Sequence, residues 1–184
     1  MGTTHRLLAG LAAGAAGTTA LNLVTHLDMV VRGRPASSTP EETVQRTEEL
    51  AGVRLATDES VEQNRRSGLG ALLGTAAGLG TGVVYGLARP VLGRLPLVLR
   101  GVVAGALANA GSTVPMTALG VTDPRRWSAG SWVSDLVPHL AYGLVTAAVW
   151  EMAAHGRGAQ LPSRPPASRT RRSARTITSS CAGL

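Results

Sequence analysis

Lysine is absent from this 184-residue sequence, and all 18 basic side chains are arginine. That removes phosphate loops built on a lysine, Schiff-base chemistry and lysine general bases. Phenylalanine is also absent, leaving two Tyr and three Trp as the aromatics. A single cysteine, Cys181, excludes an internal disulfide, a Cys-based zinc knuckle and a CxxC redox pair. Neither a GxSxG elbow nor an HExxH motif occurs, and no nucleophile has a visible base beside it. The sequence therefore leans away from an enzyme and asks for no cofactor.

What is present is Ala, Leu, Val and Gly, with 23 glycines and hydrophobic residues at 44%. The arginine-only, Ala/Gly-rich usage points to a GC-rich, actinobacterial-type genome. A bilayer core needs about 20 mostly apolar helical residues, and four windows meet that: 7–27, 68–88, 101–121 and 132–152. Trp132 and Trp150 bracket the fourth window, where indoles are expected at headgroup level. Residues 91–99 read as an interfacial lead-in. The first window also has a reading as a cleaved signal peptide, against which stand its length and regularly placed polar residues. The expected fold is all-α, a polytopic membrane bundle of four transmembrane helices within residues 1–155.

Between the first two windows, residues 32–67 carry both charge signs and predict a small folded polar cap. Thr39 can cap a helix, Pro40 suits its first position and Glu42 completes a capping box. Val44, Thr47, Leu50 and Ala51 then share one side, and Gly52 is the expected stop. A polar helix over 58–66 is expected to run straight into the second span. Residues 156–184 are rich in Pro, Ser and Arg without an acidic residue, which predicts a disordered basic tail able to touch anionic lipid headgroups. Without stacking aromatics, the tail gives no specific nucleic-acid partner. Ten arginines on the side of the termini against eight on the other place both termini in the cytoplasm, in a bacterial cytoplasmic membrane.

Glycines stand at every fourth residue of the second window: Gly70, Gly74, Gly78, Gly82 and Gly86. In water each would cost about 1 kcal/mol against alanine. In lipid, close backbone approach drives helix association, so the track reads as a packing surface, a glycine zipper. Gly10, Gly14, Thr18, Asn22 and His26 repeat the spacing in the first window, and Gly101, Gly105, Asn109, Thr113 and Thr117 repeat it in the third. Ser131, Asp135, His139, Gly143, Ala147 and Glu151 do so in the fourth. The result predicted is a bundle with a polar seam of Asn22, His26, Asn109, Asp135, His139 and Tyr142. Gly10–Ala13–Gly14 and Gly101–Ala104–Gly105 share a GxxAG pattern, and Tyr85 and Tyr142 each open a Tyr-Gly-Leu. These matches predict a two-hairpin pseudo-repeat with parallel copies.

The GxxAG opening and the Pro138-His139-Leu-Ala-Tyr142-Gly143 run together resemble small bacterial inner-membrane proteins of the YagU-like type, whose function is unknown. The resemblance covers about a third of the spans and leaves the cap loop unmatched. It implies a polytopic membrane protein and carries no catalytic residue.

Ionisable residues inside a span are functional candidates. The four-span topology brings His26 and Asp28 near Asp135 and His139, with Thr117, Asp123, Arg65 and Arg66 at the rim. Three readings of this group stand. The two histidines and two carboxylates could ligate a divalent metal; His139 and Asp135 could form a proton path or pH sensor; or the group simply hydrogen-bonds helices together, the plainest of the three. The function expected is a structural or accessory membrane protein, partnered with the bilayer and with a second copy or another membrane protein. A small proton-linked transporter or channel is the alternative.

Overall fold

The computed structural model describes residues 2–155, so the basic tail expected over 156–184 lies outside the described residues. Among these residues the chain is all-helical: α1 Thr3–Arg32, α2 Thr39–Ala51, α3 Glu59–Leu92, α4 Leu97–Ala118 and α5 Ala129–His155, with a 3₁₀ turn at Pro124–Arg126. By length and composition α1, α3 and α4 could each cross a membrane. Helix α5 is 27 residues long and carries Asp135, His139 and Glu151, and it is not in that apolar set.

The four long helices close a ring, α3 on α1, α1 on α5, α5 on α4 and α4 on α3, while α2 lies on α3. Large apolar side chains point outward: Val30, Val31, Leu72 and Val91 are 80%, 82%, 66% and 85% exposed. The interior is made of small residues, with Ala13, Ala104 and Ala147 fully buried. Tyr85, Tyr142 and Thr146 are the largest side chains sealed inside it. Such an inside-out distribution fits a lipid surround, where the helices gain little by hiding Leu and Val from one another.

Two crossings bring backbone against backbone. A Cβ on Gly10 would lie 2.6 Å from Gly82 O, and one on Gly14 would lie 2.8 Å from Gly78 O. One on Gly86 would lie 2.6 Å from Arg6 O. Between α4 and α5, a Cβ on Gly101 would lie 2.9 Å from Leu144 Cα, and one on Gly105 would lie 2.6 Å from His139 O. Gly82 faces Gly10 O and the N and Cα of Gly14; Gly143 faces Gly101 O and the N and Cα of Gly105. In contact register Gly82 therefore matches Gly143, and His139 stands where the first crossing has Gly78. The Tyr-Gly-Leu match is displaced by one turn, since it would set Gly86 against Gly143.

The glycine track of α3 is divided among several neighbours. Gly78, Gly82 and Gly86 meet α1, and Gly78 also meets the Thr18 side chain. Gly70 meets Pro40 of α2, at 3.0 Å from its carbonyl carbon, whereas Gly74 meets nothing within 4 Å.

In the cap, α2 begins one residue earlier than expected. Ser38 is the N-cap, and its hydroxyl reaches the Glu42 carboxylate at 2.5 Å while its carbonyl accepts from Glu42 N–H. Gly52 ends the helix with φ 65°, a left-handed conformation that suits glycine. The buried side of α2 is Val44 and Glu48, not Val44 with Thr47, Leu50 and Ala51; Leu50 is 63% exposed. Burial of Glu48 follows from its partners. It accepts from Arg66 Nε at 2.5 Å and from the Leu55 N–H at 2.9 Å, pinning α2 and the following loop to α3. Asp58 caps α3 by accepting from the Ser60 and Val61 N–H groups.

Candidate polar site between helices α4 and α5

Asp135 and His139 are four residues apart and project from one side of α5 toward α4. Asn109 of α4 donates its amide hydrogen to Asp135 Oδ2. His139 Nδ1 lies 2.7 Å from the backbone oxygen of Asp135, one turn back on its own helix. A carbonyl can only accept, so Nδ1 carries the hydrogen and Nε2 is the free lone pair. Ser112 Oγ faces Nε2 at 3.4 Å. The Asp135 carboxylate is 3.6 Å from Nδ1, with side-chain exposures of 20% for Asp135 and 14% for His139. The group ties α4 to α5 through a carboxylate held by an amide and an imidazole whose second nitrogen faces a hydroxyl.

The remaining seam residues, and the metal-ligand candidate Asp28, lie elsewhere. Asp28 accepts from Arg34 Nε at 2.5 Å and Ser134 Oγ at 2.9 Å, with Arg32 3.4 Å away. Arg32 also donates to Ser134 Oγ at 2.6 Å, so α1 and α5 are tied through Ser134. Asn22 and His26 are exposed on α1. Tyr142 points away from the cluster and donates to Gly78 O at 2.6 Å. His26 and Asp28 are thus not assembled with Asp135 and His139, and no group of three or more His, Cys, Asp or Glu among the described residues could hold a metal ion. Of the rim residues, Arg66 serves Glu48, Arg65 donates to Leu55 O, and Asp123 caps the 3₁₀ turn through Arg125 N–H.

Sequence reasoning missed Ser112 and Ser134. Both were findable: Ser112 follows Asn109 by three residues on one helix face, and Ser134 adjoins Asp135. Outside the spans, the Glu49 and Asp58 carboxyls are held below the ordinary carboxylate range. Hydrogen bonds from Arg46 lower Glu49, and the Ser60 hydroxyl, followed by the Val61 N–H, lowers Asp58 at the α3 N-terminus.

No protein-family model, curated protein or solved structure matches the chain.

Proposed function

We propose that this is a four-span integral membrane protein with a structural or accessory role, acting through helix–helix contact. Helix α5 serves as the fourth span. At 1.5 Å per residue its 27 residues reach about 40 Å, enough for a bilayer core. Its charges are not left bare, since Asp135 is held by Asn109 and Glu151 by Arg89 and Arg100. The matching contacts of Gly10, Gly14 and Gly82 with Gly101, Gly105 and Gly143 support a duplicated hairpin, with copies related by an axis along the membrane normal. Both termini on the cytoplasmic side of a bacterial membrane, and kinship with the YagU-like type, belong to the same reading.

One observation carries the accessory role. Beyond the crossing at Thr18 and Gly78, α1 and α3 diverge: Gly74 meets nothing within 4 Å, and residues 71–77 are all exposed. Asn22, one turn past Thr18, is exposed beside this opening with no hydrogen bond among the described residues. An unpaired amide and a small-residue surface in an apolar helix suit a partner helix that approaches closely and hydrogen-bonds across the gap. A second copy of the chain is the occupant we infer. Oxidative cross-linking of Gly74→Cys in a Cys181→Ser background tests this in native membranes. A disulfide dimer is the expected product, lost when Asn22→Leu is added; a monomer under all conditions would sink the self-association.

The alternative, proton-linked transport, draws on the closeness of His139 to Asp135 and Ser112. It requires a pH-driven flux in liposomes that Asp135→Asn abolishes.

A further inference from the structure

The N-terminal end of the bundle carries a second polar cluster, separate from the seam and from the α1–α3 opening. Arg89 of α3 and Arg100 of α4 both donate to one oxygen of Glu151 on α5, Arg89 through Nε at 2.5 Å and Arg100 through Nη1. The Arg89 guanidinium sits over Trp150, 5.2 Å from the ring centroid. That indole stands edge-on to Tyr85, with centroids 6.4 Å apart at 85°. The residues form one connected set across three helices.

Three polar atoms of this same set are buried without a hydrogen-bond partner among the described residues: Tyr85 Oη, Trp150 Nε1 and Arg100 Nε. Tyr85 is fully buried and Trp150 is 5% exposed. Each of the three atoms carries a hydrogen to donate, and two guanidiniums share a single carboxylate. The cluster is therefore short of acceptors and of negative charge together. A water oxygen could accept from these donors but, being neutral, would leave two guanidiniums on one carboxylate. A phosphate diester brings acceptor oxygens only, and one negative charge, which suits the planar donor fork of arginine. The helix ends, with a tryptophan beside two arginines, are also where phospholipid headgroups lie.

We propose that Arg89, Arg100, Trp150 and Tyr85 bind the phosphate of an anionic phospholipid headgroup between the ends of α3, α4 and α5. A choline headgroup carries its own cation and leaves the arginine charge unneutralised, so the site discriminates against zwitterionic lipid.

Native mass spectrometry of the full chain in detergent, titrated separately with phosphatidylglycerol, phosphatidylcholine and inorganic phosphate, tests this. The expected result is one tightly retained phosphatidylglycerol, favoured over phosphatidylcholine by about tenfold. Retention should fall about tenfold in Arg100→Gln and about threefold in Tyr85→Phe. Tyr85→Phe removes a single oxygen, so it keeps the test valid if Arg100→Gln fails to fold. Arg171→Gln with Arg172→Gln, in the basic tail, should leave retention unchanged. Equal retention of the two lipids, indifference to both Arg100→Gln and Tyr85→Phe, or loss in the tail variant would each overturn the proposal. Displacement of the lipid by millimolar inorganic phosphate would overturn the lipid assignment and make the site one for free phosphate.

Discussion

The phenol of Tyr142 on α5 donates to the backbone oxygen of Gly78 on α3 at 2.6 Å, joining two helices that are not ring neighbours. Gly17 on the intervening α1 makes this reach possible, because a Cβ there would lie 2.8 Å from Tyr142 Cδ2. Tyr142→Phe should keep the packing and lose the bond, at about 0.6–1.7 kcal/mol. Gly17→Ala should cost more, since it also collides with Thr146 Oγ1. Thermal unfolding in a fixed detergent compares the two.

Glycine substitutions in α3 should divide sharply by position. A Cβ on Gly82 meets backbone atoms of Gly14, which cannot yield without moving α1. Gly82→Ala is expected to destabilise by about 1–3 kcal/mol. Gly74→Ala meets no atom within 4 Å and should stabilise the monomer by up to about 1 kcal/mol through helix propensity. Equal effects from the two variants would contradict the close crossing.

Asn109 and Asp135 should be coupled. Asn109→Leu and Asp135→Leu singly each strand a polar group, whereas the double variant removes both and leaves His139 its backbone oxygen at position 135 and Ser112. A double-mutant cycle read by unfolding is expected to return about 0.6–1.7 kcal/mol of interaction. Additive effects would mean that the amide does not serve the carboxylate.

Glu48 should hold the cap to the bundle. Glu48→Ala leaves the Leu55 N–H without its acceptor and Arg66 with Glu62 alone, 3.4 Å away. A loss of about 1–3 kcal/mol is expected, confined to the cap. Limited proteolysis between α2 and α3 should accelerate while the spans stay protected.

Acid should loosen the start of α3 before the spans respond. The Asp58 carboxyl is lowered by its hydrogen bonds from Ser60 and Val61, so its contribution is present above the ordinary carboxylate pKa. It is lost as pH falls through the lower folded-state value. Amide exchange at Ser60 and Val61 should quicken in that window, and Asp58→Asn should remove the pH dependence.

The all-helical fold is legible from long uncharged runs, a Pro-Glu-Glu start and glycine stops such as Gly52. The exact faces are less so. Each step of four residues turns a helix by about 40° beyond a full turn. The stripe that begins Gly10, Gly14, Thr18 therefore drifts around α1, and beyond Thr18, where α1 and α3 stand apart, Asn22 and His26 are left exposed. That rotation is why evenly spaced polar residues do not form one seam. The hidden side of α2 misled for a different reason. Burial there follows an ion pair from Glu48 to Arg66, and apolarity alone favours Leu50. At the candidate site, Asp135 and His139 are readable as a pair from their spacing and Ser112 as a neighbour of Asn109 on one face, but the Arg89–Glu151 pairing depends on inter-helix register. The Tyr-Gly-Leu match sits one turn out of the contact register, in which Gly82 and not Gly86 lines up with Gly143.

A seam built of backbone has no rotamers to exchange. Where Gly10 lies on Gly82, or Gly101 beside Gly143, stress cannot be relieved by a side chain swinging aside. The α1–α3 pair, both helices long and apolar enough to cross a membrane, would then answer a thicker or thinner bilayer as a stiff plank, by changing its tilt. The compliance of the molecule is left to the stretch where α1 and α3 stand apart. Mechanical load from the membrane would gather there, next to the cap.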